Sequence, residues 1–251
     1  MLKTFASILA AFSSACLIGG SAENSNDEDV IGGVVDPGDP SVVSIFAHLP
    51  GATAGSLCTG SVIAPSTVLT AAHCVDPATV GAGNVCEVYP GPTFGAGAPL
   101  AVAATDFDQA FDPNNIANGH DVAIVTLAQP TSLAPLPYNR GALGSGPIRL
   151  VGYGASSHIS YAGIPNGAGT KRQVTTFIDS ETANQVTIGD SGHQTCHGDS
   201  GGPAFQTING QEVIVGITSF GADISSIAVC WFGGTDTRVD AYLPFIDSHL
   251  Q

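Results

Sequence analysis

Short apolar segments separated by turn residues dominate the sequence from residue 30 onward. The clearest of them are SVVSIFAHL (41–49), GSVIAPSTVLTAA (60–72), DVAIVTL (121–127), IRLVGYG (148–154), QVTTFI (173–178), QEVIVGITSF (211–220) and TRVDAY (237–242). These segments are rich in β-branched residues, and Gly, Pro, Asn and Asp stand between them. Many short strands at such spacing are typical of a barrel or a sandwich. The sequence therefore predicts an all-β protein.

Two segments interrupt the strand pattern. AQPTSLAPLPYNRGALGSGP, residues 128–147, is rich in Pro and Gly and lies near the middle of the chain, where it could join two sub-barrels. Only the C-terminus has a helical pattern. One face of that helix would carry Tyr242, Phe245, Ile246 and His249.

Composition limits the class of protein and its partners. The chain has 251 residues, of which 43% are hydrophobic and only 11% charged, so it can bury an ample core as one large domain or two small ones. Six Lys and Arg stand against 21 Asp and Glu, which gives a net charge of −15. A surface of this sign repels nucleic acid and anionic membranes, and we exclude both as partners.

The N-terminus has the features of an export signal. MLK is a short positive region, an apolar stretch follows over residues 5–18, and small residues precede a cleavage point after Ala22. The alternative is a lipoprotein signal, because SSAC (13–16) resembles the box in which Cys16 is acylated. We expect a signal peptide over 1–22, an acidic propeptide over 23–29 and a secreted protein; the alternative is a lipid anchor at the cell envelope, the one membrane contact expected.

Three residues could carry nucleophilic catalysis. A serine hydroxyl is a weak nucleophile that needs an adjacent base, an orienting group and donors for an oxyanion. TAAHC (70–74) places His73 after an apolar segment, GHDVAIVTL places Asp121 at the head of a strand, and GDSGG places Ser200 in a glycine-rich turn. His120 is a second candidate base, but neighbouring strand residues face opposite sides.

Five segments, in this order, resemble the chymotrypsin/trypsin family of serine peptidases. They are VIGG (30–33), TAAHC (70–74), HDVAIVTL (120–127), GDSGGP (198–203) and SFG (219–221). The resemblance implies two packed six-stranded antiparallel β-barrels with a short C-terminal helix, a serine peptidase domain over 30–251, and a secreted protein of the bacterial type. It implies polypeptide substrates, a monomer and no cofactor. The His and Cys spacing offers no metal-binding motif, so we expect no catalytic metal.

The family roles transfer to individual residues by this resemblance. Ser200 resembles the nucleophile, and His73 resembles the general base that later acts as the acid. Asp121 resembles the buried carboxylate that orients the imidazole, and the Ser219 hydroxyl resembles the group that supports it. The N–H groups of Gly198 and Ser200 resemble the oxyanion hole.

The resemblance also assigns substrate-binding residues. Ser219 and Gly221 resemble the backbone segment that pairs with the substrate strand. Gln194 resembles the residue at the floor of the specificity pocket, and Gly221 and Gly234 resemble its walls. Because Gln194 is neutral, we expect a neutral or hydrophobic side chain there. Asp236 stands where a Tyr is common and could offer a carboxylate, so a basic side chain is the alternative.

Activation by cleavage is a further implication of the resemblance. The cut falls between Asp29 and Val30, and the new α-ammonium of Val30 pairs with Asp199. The family often has Arg or Lys before the cut, whereas this chain has Asp29. We therefore expect another protease to activate the chain.

The resemblance pairs four of the six cysteines. Cys58 is expected to bond to Cys74, and Cys196 to Cys230, which would tie the segments of His73 and Ser200 to their surroundings. Cys86 has no evident partner and is expected to be a buried free thiol.

Two other functions fit the same motifs. The first is a non-catalytic binding or adhesion protein on this fold, although such relatives usually lose a member of the triad. The second is an esterase of small esters, since the same site would hydrolyse them. The segment SFG at 219–221 favours polypeptide substrates.

Overall fold

A computed structural model describes residues 30–157, 160–161, 164–165, 167–221 and 230–250. The predicted signal peptide (1–22), with Cys16, and the predicted propeptide (23–29) lie outside these residues. Within the described ranges, no helix is both long enough and apolar enough to cross a membrane.

Strands dominate the described part of the chain. They are β1 (Val34–Val35), β2 (Val42–His48), β3 (Gly55–Ala64), β4 (Thr67–Thr70), β5 (Val85–Tyr89), β6 (Val102–Phe107), β7 (Ala123–Leu127), β8 (Ile148–Gly152), β9 (Ser160–Tyr161), β10 (Ile164–Pro165), β11 (Arg172–Thr176), β12 (Ile178–Glu181), β13 (Gln185–Ile188), β14 (Pro203–Ile208), β15 (Gln211–Gly221) and β16 (Gly234–Arg238). The α-helices are α1 (Pro77–Val80) and α2 (Leu243–Ser248). Short 3₁₀-helices lie at Ala72–Cys74, Ile116–Asn118 and Val239–Tyr242.

Two curled antiparallel sheets form the fold. The first has six strands in the order β5-β2-β3-β4-β7-β6, and the second has eight in the order β1-β11-β8-β14-β15-β16-β13-β12. Strands β9 and β10 form a separate hairpin. The predicted pair of antiparallel β-barrels with a short C-terminal helix is confirmed. The second sheet exceeds the predicted six strands because β1 and β12 add one strand at each of its edges.

The apolar core divides between the two halves. One cluster is centred on the first sheet, where Ile45, Leu69 and Ile124 are almost completely buried, and it continues to Ile246 in α2. A smaller cluster lies inside the second sheet and includes Leu150. The C-terminal helix therefore packs against the core of the first half.

The sequence pattern predicted the connection at residues 128–147 correctly and the segment at 237–242 only in part. Residues 128–147 contain no helix or strand and run from β7 in the first sheet to β8 in the second, as predicted. The expected strand at 237–242 was wrong in its second half, because the strand ends at Arg238 and a 3₁₀-helix follows. In that helix Val239 and Tyr242, three residues apart, are both buried on the same side.

Helix α1 was not predicted from the sequence. Its four residues are too few to display a helical apolar period, and none of them is buried. The helix is set by local signals instead: Asp76 accepts a hydrogen bond from Ala78 N at 3.1 Å, and Pro77 occupies the first turn.

Candidate active site

His73 and Asp121 are joined by two hydrogen bonds. The backbone N–H of His73 donates to Asp121 Oδ1 at 2.9 Å, and His73 Nδ1 lies 2.8 Å from Asp121 Oδ2. His73 stands in the 3₁₀-helix after β4, and Asp121 lies two residues before β7, the strand that pairs with β4. The sheet therefore holds these two residues together.

The Asp121 carboxylate is fully buried and accepts three hydrogen bonds. The Ser219 hydroxyl donates to Asp121 Oδ2 at 2.5 Å, in addition to the two bonds from His73. Burial alone would raise the pKa of this carboxyl, but the proximity of His73 and these hydrogen bonds outweigh it and lower the pKa below its ordinary value. Asp121 is therefore held ionised beside the imidazole.

The loop that carries Ser200 is bonded to both sheets. The Ser200 carbonyl accepts a hydrogen bond from Thr59 N of β3 at 2.8 Å, and Gly201 N donates to the Thr218 carbonyl of β15 at 2.7 Å. Gly201 has a φ of +81°, and a Cβ there would lie 2.0 Å from Thr70 Oγ1. A glycine is required because the turn passes so close to the first sheet.

Gly198 is confined in the same way two residues before Ser200. Its φ is +104°, and a Cβ there would lie 2.9 Å from the Cα of Gly154. Thr59 Oγ1 donates to the Gly198 carbonyl at 2.9 Å and accepts a hydrogen bond from Tyr153 N at 3.1 Å. One hydroxyl from the first sheet thus fixes this peptide against the loop after β8.

Asp199 is buried between the same segments. Its Oδ1 accepts a hydrogen bond from Gly154 N at 2.7 Å, and its Oδ2 accepts one from Cys196 N at 2.8 Å. A Cβ at Gly152 would lie 2.1 Å from Asp199 Oδ1, so the carboxylate fills space that only glycine leaves. Burial raises its pKa to about 7 despite these bonds.

Val30 marks the start of the described chain and is completely buried. It packs in the core cluster that contains Leu150 of β8, the strand whose Gly152 lies against Asp199. The next residue is also held, since Gln194 N donates to the Ile31 carbonyl at 3.2 Å. Val30 has a φ of +53°, in the left-handed region that a β-branched residue rarely adopts.

A cavity of about 590 Å³ opens beside these groups. His73, Ser200 and Ser219 all line it. The rest of its lining is mostly apolar or uncharged and consists of Ala78, Thr79, Phe111, Pro113, Asn114, Ile116, Thr195, Cys196, His197, Thr218, Phe220, Gly221 and Cys230. The candidate nucleophile and base therefore face one space large enough to hold several side chains of a peptide.

The predicted substrate-binding residues divide into two groups. Ser219 and Gly221 line the cavity, whereas Gln194 and Gly234 are not among its lining residues. Gln194 is fully buried, and its Oε1 accepts a hydrogen bond from Gly233 N at 2.6 Å. A Cβ at Gly234 would lie 2.9 Å from the hydroxyl of Thr195, which does line the cavity.

Asp236 faces the interior of the second barrel. It is 1% exposed, its Oδ2 would lie 3.0 Å from a Cβ at Gly216, and it is not among the residues that line the cavity. Burial and the neighbouring Asp199 raise its pKa to about 8. Both effects favour the protonated, neutral form of this carboxyl.

Both expected disulfides are present in the structure. Cys58 is bonded to Cys74 with the Cα atoms 6.2 Å apart, and Cys196 is bonded to Cys230 at 5.3 Å. Cys86 is a free thiol whose pKa burial and Glu87 raise to about 12, so it is a poor nucleophile.

A cluster of possible metal ligands also lies at the site. His73 is close to the sulfur atoms of Cys58 and Cys74. Because these sulfurs form a disulfide, they are not thiolates and do not favour a metal there.

One wall of the cavity was missed by the sequence analysis. Phe111, Pro113, Asn114 and Ile116 lie in the turn-rich segment before Asp121. The signal that could have found it is the presence of large apolar residues, Phe111 and Ile116, in a segment that otherwise has the composition of a solvent-exposed turn.

Comparison with known proteins agrees with this geometry. The sequence model of the family described as Trypsin matches residues 34–246. The chain is similar to brachyurin of Leptuca pugilator, with 31% identity over 214 residues that cover 76% of this chain and 86% of the relative. It is also similar to chymotrypsin-like elastase family member 1 of Macaca fascicularis, with 28% identity and coverage of 84% and 85%. Glucanase inhibitor protein 1 of Phytophthora sojae is 27% identical and matches over 100% of both chains.

Proposed function

The chain belongs to the trypsin family of serine peptidases, and on that basis we propose that it is an exported serine endopeptidase that is made as a zymogen and works through an acyl-enzyme. One observation carries the proposal. The buried Asp121 carboxylate holds both the backbone and the ring of His73, which shares a cavity with Ser200.

Acylation begins with attack by Ser200 Oγ on the carbonyl carbon of the scissile peptide. His73 takes the hydroxyl proton, and Asp121 stabilises the imidazolium that forms. The N–H groups of Gly198 and Ser200 stabilise the oxyanion of the tetrahedral intermediate, where loss of one such donor costs about 3 kcal/mol. The C–N bond then breaks, His73 gives its proton to the leaving amine, and Ser200 carries the acyl group as an ester.

Deacylation repeats these steps with water. His73 removes a proton from the water, whose oxygen attacks the ester carbonyl carbon. The C–O bond to Ser200 breaks, Ser200 Oγ regains the proton from His73, and the carboxylic acid product leaves. No group other than the substrate and water is consumed.

Activation by cleavage before Val30 is supported by the state of Asp199. Among the described residues, the donors to its oxygens are the backbone N–H groups of Gly154 and Cys196, and burial raises its pKa to about 7 although the charge of Arg172 acts to lower it. A new α-ammonium at Val30 would supply the counter-charge that a buried carboxylate needs. Asp29 before the cut is unlike the residues that this family's trypsin-like members cleave, so a separate activating protease fits best.

Export is supported by the N-terminal sequence and by the disulfides. Residues 1–22 have the features of a signal peptide, and two disulfides form in the folded domain. Disulfides persist in oxidising compartments outside the cytosol. We favour secretion after removal of residues 1–22 over a lipid anchor on Cys16, because residue 13 is Ser where the lipoprotein box usually has Leu.

A neutral or apolar side chain before the cleaved bond fits the cavity best. The described residues that line it include no Asp or Glu. Asp236, the acid that could have attracted Lys or Arg, faces the barrel interior. A basic side chain would therefore enter without a charged partner, and an unpaired buried charge is costly.

The test is labelling of Ser200 by a fluorophosphonate probe. It compares the precursor with protein that begins at Val30, and Ser200→Ala of each form is the matched control. We expect labelling of the Val30 form alone and none of either Ser200→Ala protein. A peptide substrate assay on the same samples should show turnover only where the label appears.

Other outcomes would overturn defined parts of the proposal. Equal labelling of precursor and Val30 form would remove the zymogen step and keep the hydrolase. Turnover of small esters without any peptide cleavage would make the chain an esterase. No labelling of either folded form would favour a binding protein, a role that fits the name of the glucanase inhibitor relative.

A further inference from the structure

His120, directly before Asp121, has an unusual backbone conformation. Its φ is +67°, and the preceding Gly119 also has a positive φ of +83°. The left-handed region is readily adopted by Gly and, among other residues, is enriched in Asn, Asp and His. The direction in which the chain enters Asp121 thus depends on a conformation that most side chains disfavour.

Every polar group of the His120 backbone and one ring nitrogen have a partner. Its N–H donates to the hydroxyl of Tyr242 at 2.8 Å, and its carbonyl accepts a hydrogen bond from Val122 N at 2.9 Å. Its Nδ1 lies 2.9 Å from Asp108 Oδ2, and its ring packs edge-to-face on Tyr242 at 5.5 Å. These contacts hold His120 in the left-handed conformation.

Asp108 connects this arrangement to the substrate cavity. Its backbone N donates to the Val122 carbonyl at 3.1 Å, and its Oδ1 accepts a hydrogen bond from Ala110 N at 3.0 Å. The segment that begins here forms the cavity wall with Phe111 and Ile116. Hydrogen bonds among Asp108, His120 and Val122 therefore link the residues on either side of Asp121 to the residue at which that wall begins.

We propose that His120 is a positioning residue with two separable effects, an inference that rests on the proposed peptidase function. Its left-handed backbone sets the direction of Asp121, and its ring, through Asp108, holds the wall that contacts the substrate. His120 is not among the residues that line the cavity, so it is not placed to act as a second general base.

The two effects predict different kinetic changes. Replacement by Ala adds a penalty for the left-handed backbone and removes the ring, so Asp121 shifts and kcat falls by about tenfold or more. Gly adopts this conformation readily and has no side chain to replace the imidazole contact. His120→Gly should therefore retain kcat and show a raised KM.

The experiment measures kcat and KM of the active Val30 form for wild type, His120→Ala, His120→Gly and Asp108→Ala with one peptide substrate. We expect recovery of kcat in His120→Gly with a raised KM, and a KM raised at least as much in Asp108→Ala, which also loses the bond from Ala110 N. The double variant should show no rise beyond that of Asp108→Ala, because the contact removed by His120→Gly is already lost there.

Asn209→Ala is the matched control for backbone strain. Asn209 also has a positive φ, of +53°, but lies in the hairpin between β14 and β15. We expect this variant to unfold more easily with unchanged kcat and KM. If His120→Ala behaves like Asn209→Ala, or if His120→Gly loses as much kcat as His120→Ala, the positioning role is wrong.

The failure of this inference is distinct from failure of the proposed function. Wild-type protein is first titrated with the fluorophosphonate probe, and an unlabelled wild type refutes the peptidase assignment itself. With labelled wild type, the kinetics of the variants decide on His120 alone. If His120→Ala does not fold, His120→Gly, Asp108→Ala and their double variant still test the role, and additive rises of KM in the double variant would overturn it.

Discussion

The Asp121 carboxylate holds the main chain and the side chain of His73 at once. One oxygen accepts from the His73 backbone N–H at 2.9 Å, and the other lies 2.8 Å from the ring Nδ1. Two bonds to one planar group fix both the place of the residue and the rotation of its ring. The imidazole is therefore oriented before a substrate arrives.

Asp121→Asn should almost abolish turnover without unfolding the protein. An amide offers one acceptor and two donors, so it cannot accept from both the His73 backbone and the protonated Nδ1. The ring is expected to shift its proton to Nε2, where it can no longer take the proton of Ser200. In serine peptidases this exchange costs about 10⁴ in kcat, and steady-state kinetics with thermal unfolding would measure it.

Ser219→Ala is the matched comparison for Asp121→Asn. It removes one donor to Asp121 Oδ2 and leaves the carboxylate and both His73 bonds in place. We expect a far smaller loss of kcat than in Asp121→Asn. Equal losses in the two variants would show that the number of donors, rather than the orientation of His73, controls the rate.

Thr59→Val should lower both stability and kcat. The Thr59 hydroxyl donates to the Gly198 carbonyl and accepts from Tyr153 N. Valine has the same shape as threonine but no hydroxyl, so both buried backbone groups lose this partner. Each such group costs about 1–3 kcal/mol. Urea unfolding and kcat on one peptide substrate would measure the change. Thr59→Ser keeps the hydroxyl, and equal behaviour of the Ser and Val variants would contradict the predicted role.

The sequence predicted the parts of the site that lie in local motifs. His73, Asp121 and Ser200 each stand in a short segment with its own signal. The contact of Thr59 with Gly198 spans 139 residues, and no local pattern records which distant segments meet. The same limit applies to Gln194, since its distance from Ser200 in the chain does not reveal that its side chain faces Gly233.

The fold was predictable where strands bury one face. Strand β7 is almost entirely buried and was found from its apolar residues, whereas most of β6 is exposed and it was missed. Strand β12 was missed apart from its first residue for the same reason. An exposed edge strand needs no apolar period, because its place is set by hydrogen bonds to a neighbour. Burial alone was not sufficient either, because β13 and β14 lie inside the second sheet and are mostly buried but were not among the predicted strands.

The precursor should lose stability as pH rises from about 4 to about 8. The pKa of Asp199 is raised to about 7 and that of Asp236 to about 8 in the folded chain. A carboxyl with a raised pKa stabilises the folded state below its unfolded pKa, and this contribution is lost as pH rises through the folded pKa. Each group contributes a slope of about 1 kcal/mol per pH unit over that window.

Urea unfolding at pH 5 and pH 8 would measure this effect on a precursor that carries the Ser200→Ala substitution, which prevents self-cleavage. Asp199→Asn and Asp236→Asn should each flatten the pH dependence, and the part that remains is expected from Asp36, whose pKa burial also raises. The Val30 form should show a weaker Asp199 contribution, because the α-ammonium favours the ionised carboxyl. A precursor that is more stable at pH 8 than at pH 5 would contradict the assignment.

Peptides with a neutral side chain before the cleaved bond should be the better substrates. The described cavity lining offers no carboxylate, so Lys or Arg would lose hydration without gaining an ion pair. We expect kcat/KM for Phe or Leu at that position to exceed that for Lys by at least about tenfold. A matched peptide series that differs only at this residue, cleaved by the Val30 form, would give the ratio.

Asp236→Asn separates this explanation from its alternative. If the Asp236 carboxylate attracts basic side chains, its replacement should lower kcat/KM for the Lys peptide and leave the Phe peptide unchanged. Because Asp236 faces the barrel interior, near a Cβ position at Gly216, we expect the ratio between the two peptides to stay constant. A selective loss of Lys cleavage in this variant would show that the carboxylate reaches the substrate, and the neutral preference would then be wrong.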